Sequence, residues 1–352
     1  MAATLALAAI LAAFGPHPTL AQSGEAQSPA AKSKPLPKPK PHEPPAQSTP
    51  APNNAAAAGG TEANAAFSAF QRGDFLTAFS LATKRVNEND DVTAMTLLGE
   101  LYANGLGVPQ NDDKAAEWYK LAADRGDRQA LFALAMFRLN GRAGPRDHDA
   151  SAKLLAAAAK LGSANAAYDL ALLYIEGQLF PQDFGRAAEL LRAAAQLGSP
   201  DAQYALGTFY KEGRGVPKDM HEAVRLWALA AVGDNTDAQV EYAIALYNGD
   251  GTDSNQAAAA AMFRKAALHG SAIAQDRLAR ILASGRGADA SPVEATKWHL
   301  ISKAEGETDL TLDDFVAKLD PDTRAKGEQA AKTWLDALRA AQPVQPAQPS
   351  KP

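Results

Sequence analysis

Six histidines and a series of glycine-rich turns are where this chain of 352 residues could hold chemistry. His221-Glu222 begins like the H-E-x-x-H helix, in which two imidazoles one turn apart bind zinc and the glutamate serves as general base. Position 225 is Arg225, so the second ligand is missing. His17 and His42 lie in a proline-rich leading stretch, while His148, His221, His269 and His299 are scattered and read as surface side chains. The stretch NGLGVPQND, Asn104 to Asp112, offers a glycine-rich turn ahead of an expected helix, an arrangement whose backbone amides can gather around a phosphate. A phosphate loop of the Walker type also needs a Lys-Ser/Thr pair after its second glycine, and none follows. The acidic pairs Asp112-Asp113 and Asp313-Asp314 could serve as acid and base, yet they stand where first helical turns are expected and the helix dipole favours them. No G-x-S-x-G nucleophile elbow is present. The absence of cysteine excludes disulfides, thiolate chemistry and cysteine-ligated zinc. We therefore expect no catalytic, cofactor-binding or metal-ligating residues.

What the glycine turns do follows from their recurrence. Shifted by 36 residues, the sequence aligns with itself six times without a gap. Ala94, Ala130, Ala166, Ala202, Ala238 and Ala274 share one position, and Gly105, Gly141, Gly177, Gly213, Gly249 and Gly285 share another eleven residues on. Paired alanines recur at 122–123, 158–159, 194–195, 230–231 and 266–267, with Ser302-Lys303 in the last copy. Such a period marks a solenoid of helical hairpins. The six glycines then end each first helix, Gly107 allows the bend, Pro109 stops the helix, and Asn111 caps the next.

Within each repeat, positions 0, 4 and 8 carry Ala, Leu and Tyr in three copies (Ala94, Leu98, Tyr102; Ala166, Leu170, Tyr174; Ala202, Leu206, Tyr210), which is helical spacing. Position 5 is always small: Gly99, Ala135, Ala171, Gly207, Ala243 and Ala279. Glycine inside a helix costs about 0.5–1 kcal/mol against alanine, so its presence points to close approach of a partner helix. A second helix carries Ala115, Trp118, Tyr119, Ala122 and Ala123 on one stripe. N-cap residues precede every helix: Asp91, Asp127, Ser163, Ser199, Asn235 and Ser271 for the first, Asn111, Asp147, Asp183, Asp219, Asn255 and Ser291 for the second. Ser291-Pro292-Val293-Glu294 reads as a capping box.

The ends differ in composition. Eleven of the 22 prolines lie in residues 1–60 and four more lie beyond residue 340. Residues 1–21 open with an apolar run of about 14 residues, too short to span a bilayer, which needs about 20, but suited to the core of a secretory signal ending at Ala21. No Lys or Arg precedes that run; either the signal is atypical or the start lies upstream of Met1, in which case a membrane anchor is possible. We expect a periplasmic or secreted protein with no stable transmembrane span in this chain. Residues 22–60 read as a disordered Pro/Lys/Ala-rich linker, whose Lys32, Lys34, Lys38 and Lys40 could touch an anionic envelope polymer; residues 342–352 read as a disordered tail. A formal charge of −5 is no footprint for nucleic acid.

The string AQYALGTFYKEGRGVPKDMHEAVRLWALAAVGD, Ala202 to Asp234, resembles the Sel-one-like repeat (SLR), a relative of the tetratricopeptide repeat. The shared elements are the alanine, Leu-Gly, tyrosine, Gly-x-Gly-Val, the cap, the aromatic pair and the double alanine, repeated across residues 91–306. The resemblance implies an all-α, right-handed solenoid of antiparallel helix hairpins and a role in assembling protein complexes, often as an exported or envelope adaptor. Some cysteine-rich members are linked to penicillin binding; with no cysteine here, that activity is not carried over. Residues 61–90 resemble a tetratricopeptide-like N-terminal capping hairpin. Residues 307–341 read as C-terminal capping helices, with Asp309–Leu319 in the place of a seventh first helix.

If the constant positions are committed to packing, binding falls to the variable ones. Offsets 2, 3, 6 and 10 of the first helices point away from the hairpin, toward the expected concave side. The candidate partner-binding residues are Tyr168, Asp169, Glu176, Tyr204, Thr208, Lys211, Glu212 and Glu241, a partly apolar groove with acidic edges. Offset 2 has a second reading, packing against the neighbouring hairpin. The leading functional reading is a non-enzymatic adaptor of the cell envelope that binds a protein or peptide. Alternatives are a periplasmic regulator restraining a membrane receptor and, on family resemblance alone, a hydrolase acting on cell wall or β-lactams.

Overall fold

A computed structural model describes residues 62–341; the expected signal, the linker and the proline-rich tail lie outside them. All sixteen elements among these residues are α-helices. An opening hairpin pairs α1 (Glu62–Gln71) with α2 (Phe75–Asn89). Six repeats follow, whose first helices are α3 (Val92–Asn104), α5 (Arg128–Asn140), α7 (Ala164–Glu176), α9 (Pro200–Glu212), α11 (Thr236–Asn248) and α13 (Ala272–Ser284). The matching second helices are α4 (Asp112–Ala123), α6 (His148–Lys160), α8 (Phe184–Gln196), α10 (Met220–Val232), α12 (Gln256–Leu268) and α14 (Pro292–Ala304). The short α15 (Leu310–Ala317) and the long α16 (Pro321–Ala341) close the array. Each first helix packs chiefly on the second helix of its own repeat, and each second helix from α4 to α12 packs in turn on the first helix of the next. This is the connectivity of a helical-hairpin solenoid.

The helix boundaries follow from local chemistry. Every expected N-cap except Ser291 accepts a backbone N–H three residues on: Asp91 from Ala94, Asn111 from Lys114, Asp219 from Glu222 and so through the array. The six C-cap glycines sit in the left-handed region, with φ between 66° and 83°. Only glycine adopts it without a Cβ penalty. The capping box expected at Ser291 does not form, which corrects the sequence reading. Glu294 instead accepts the indole N–H of Trp298 at 3.1 Å. Trp298 is buried, so its donor needs a partner more than the helix end does.

Packing inside each hairpin is a matching of sizes. The small residue at offset 5 faces the residue twenty positions later in the second helix. A Cβ built on Gly99 would lie 2.6 Å from the ring of Tyr119, and one on Gly207 2.7 Å from Trp227 Nε1. Where alanine replaces glycine, the corresponding residues are smaller or slimmer: Leu155, Leu191, Phe263 and His299. The expected close helix approach is present, and an aromatic ring fills the missing side-chain space.

At the C-terminal end, α16 rather than α15 lies broadly along α14. Gly327 makes this approach possible, since a Cβ there would lie 2.5 Å from Thr296. Trp334 of α16 meets Trp298 edge-on with ring centres 5.3 Å apart.

Candidate binding face

Tyr168 and Tyr204, the two tyrosines of offset 2, are half-buried against the core between repeats. Burial pushes both phenols up, and the carboxylates of Asp201 beside Tyr168 and of Asp237 beside Tyr204 add to it. Both carboxylates come from the first turn of the next first helix, so each tyrosine leans across the repeat junction. The same lateral direction holds elsewhere at this offset. Thr96 donates to Asp127 Oδ1 at 3.1 Å, and Val240 and Asp276 are buried, at 6% and 8% exposure. Offset 2 is thus largely a junction position, the packing alternative among the two readings of it.

Of the remaining candidates only Glu176 is exposed. Thr208 is half-buried and back-bonds to the carbonyl of Tyr204 at 3.1 Å. Lys211 pairs with Glu241 of the next repeat at 2.8 Å, and its Nζ lies 5.3 Å from the centre of the Trp227 ring. Glu212 pairs with Arg214 at 2.7 Å. Asp169 is half-buried next to Tyr168, and partial burial raises the carboxyl of the exposed Glu176. Lys211, Thr208, Tyr204, Glu212 and Glu241 therefore belong to one neighbourhood across α9 and α11, while Tyr168, Asp169 and Glu176 stand on α7.

The histidines need one correction. His299 is not a surface side chain: it is 1% exposed, because its position is the one Tyr119, Trp227 and Phe263 occupy in other repeats. Its Nε2 meets Asp313 Oδ1 at 2.8 Å, and Lys303 donates to the same oxygen at 2.6 Å. His221 and His269 are exposed, and His148 is half-buried. Among the described residues, no group of three or more His, Asp or Glu side chains is placed to hold a metal ion.

The sequence reading did not single out the groove where α11, α13 and α15 meet. It holds about 520 Å³ and is lined by Ile244, Tyr247, Ile281 and Phe315, with Phe263 at its base. Arg277, Arg280 and Arg286 stand around it. Arg280 is held by Asp309 at 2.7 Å and Asp276 at 3.1 Å. The signal for this groove was present in the sequence as an arginine pair at offsets 3 and 6 of the last repeat. Those positions carry no arginine in any earlier repeat.

The geometry agrees with comparisons to known proteins. The family model described as Sel1 repeat matches residues 92–127, 128–163, 164–199, 200–231, 236–271 and 272–306. Among solved structures, a Sel1 repeat protein from Oxalobacter formigenes is 25% identical, with a TM-score of 0.56 over 70% of this chain and 99% of its own. The c5321 protective antigen of uropathogenic Escherichia coli, displaying an SLR fold, is 22% identical, with a TM-score of 0.48 over 83% of this chain and 73% of its own. No curated protein matches the chain.

Proposed function

The chain belongs to the Sel1 repeat family, in general a family of non-catalytic protein-interaction scaffolds, and from that premise we propose that it is an exported adaptor binding a protein or peptide along its first helices. One observation carries this reading. The buried positions repeat with little change, while the outward offsets of the first helices change from repeat to repeat. Offset 6 runs Glu100, Met136, Leu172, Thr208, Ile244, Arg280, with no two residues alike. A solenoid needs a periodic core, but its solvent-facing rows have no packing reason to be either uniform or specific. A non-periodic row of mixed apolar and charged groups suits one partner read repeat by repeat. Export is supported by the apolar run that opens residues 1–21 and the proline-rich spacer after them. No described helix is long and apolar enough to cross a membrane.

The test is site-specific photo-crosslinking of the full chain in cells. A photoreactive residue replacing Thr208 on α9 should capture a defined partner, while one replacing Lys153 on α6 should not. Capture only from the second helices, or from neither, would remove the first-helix reading. Fractionation of a tagged full chain tests export, and recovery of the uncleaved protein in cytosol counts against it.

A further inference from the structure

The arginine-bordered groove at the C-terminal end differs in chemistry from the middle of the same face. In repeats three to five the outward charged groups include Asp169, Glu176, Glu212 and Glu241. In repeat six, offsets 3 and 6 are Arg277 and Arg280, and Arg286 follows in the turn. Asp276 and Asp309 converge on Arg280, which fixes that guanidinium as part of the wall. Arg277 and Arg286 are exposed and form no salt bridge among the described residues. The same groove is lined by the apolar side chains of Tyr247, Ile281, Phe315 and the buried Phe263. A volume of 520 Å³ is within the range of pockets that enclose a compact ligand group. Guanidinium forks recognise carboxylates in a bidentate manner, and an aromatic floor recognises an apolar side chain.

We infer that this groove binds an acidic peptide segment, its carboxylates held by Arg277 and Arg286 and one bulky apolar side chain inserted between Tyr247 and Phe315. This rests on the adaptor reading and names the chemistry of one of its partners. The charge pattern selects this occupant. Two exposed arginines without a salt bridge beside an apolar pocket disfavour a basic partner, and a bare polyanion would leave the aromatic floor unused.

The experiment uses the full chain and a fluorescein-labelled peptide of aspartate and glutamate around a single phenylalanine, read by fluorescence anisotropy. Saturable binding that weakens with added salt is expected. Arg277→Glu with Arg286→Glu should weaken it by about tenfold or more. Both side chains are exposed, so the melting temperature should hold. Phe315→Ala should weaken binding of this peptide but not of one with alanine in place of phenylalanine. No binding by the wild type, or equal binding by the arginine variant, would overturn the inference. So would an oligodeoxynucleotide of equal charge that competes as well as the peptide. If the groove fails while crosslinking from Thr208 still captures a partner, the adaptor reading survives without it; if the peptide binds while Thr208 captures nothing, the groove stands alone.

Discussion

Gly207 of α9 and Trp227 of α10 fit together because one has no side chain. A Cβ added to Gly207 would come within 2.7 Å of the indole Nε1 and 3.1 Å of the Ala223 carbonyl. The indole is fully buried, so it has nowhere to retreat.

Gly207→Leu is therefore expected to destabilise the protein by about 1–3 kcal/mol or more, whereas Thr208→Ala, one residue away, should cost under about 0.5 kcal/mol. Gly207→Ala combined with Trp227→Leu should recover part of the loss suffered by Gly207→Ala alone, since Ala135 with Leu155 and Ala171 with Leu191 already use that combination. Thermal melts of the variants decide it. Equal melting temperatures for the Leu and Ala variants would refute this packing.

The second glycine of the turn joins repeats rather than merely permitting a bend. Gly215 lies against the start of α8 in the preceding repeat, where a Cβ would fall 2.1 Å from the carbonyl oxygen of Phe184. Gly251 meets Met220 and Gly287 meets Gln256 in the same way. Gly215→Ala should cost more than Gly213→Ala, which suffers only left-handed strain of about 1–2 kcal/mol because its nearest neighbour is 3.5 Å away. The equivalent residue in repeat two is Ala143, held at φ 53°. Ala143→Gly should raise stability by up to about 1 kcal/mol in denaturant titrations, and a loss would contradict the assignment.

Acid response should separate two carboxyls. Glu100 is exposed overall, yet partial burial of its carboxyl raises it above the ordinary value of 4.5, against a smaller lowering by the amide of Asn104. Its ionised form is thus disfavoured in the folded chain, and the associated stability is present below 4.5 and lost as pH rises through the folded value. Glu100→Gln should therefore raise the melting temperature near neutral pH and leave it unchanged near about pH 3.

Asp112 behaves in the opposite sense. The hydrogen bond from Arg142 Nε, at 3.1 Å, holds its carboxyl below the ordinary value of 3.8. That contribution is present above 3.8 and fades as pH falls through the depressed folded value. Arg142→Ala should lower stability near neutral pH and flatten the loss in acid. Parallel melts across the acidic range would show an unchanged slope if the pair contributes nothing.

Truncating the outward residues should not be uniformly silent. Tyr204 is half-buried at the α9–α11 junction, so Tyr204→Ala is expected to lower the melting temperature, while Lys211→Ala removes a partly exposed pair with Glu241 and a cation–π contact to the Trp227 ring. Surface pairs of that kind contribute about 0–1 kcal/mol. Lys211→Ala with Thr208→Ala is thus the cleaner probe of binding. If those two melt far below the wild type, they belong to the packing and not to the face.

The amino-acid sequence alone determined the repeat, its helices and their ends. Those features depend on neighbours one or two turns away: Asp91 caps Ala94, Gly105 closes α3, and alanine spacing marks the buried stripe. Local chemistry of that kind recurs with the period and is legible in one chain. Tertiary structure alone decided what happens between repeats. Whether Tyr204 faces a partner or the next hairpin depends on how neighbouring units stack, which no spacing within one repeat states. The same holds for Gly215 against Phe184, whereas the Glu294–Trp298 bond within α14 and the burial of His299 at an aromatic position of the repeat are local or periodic features that the sequence already carried. The arginine-bordered groove belongs to the tertiary class. Tyr247, Arg277 and Phe315 stand on three separate helices, and only packing of α11, α13 and α15 brings them around one cavity.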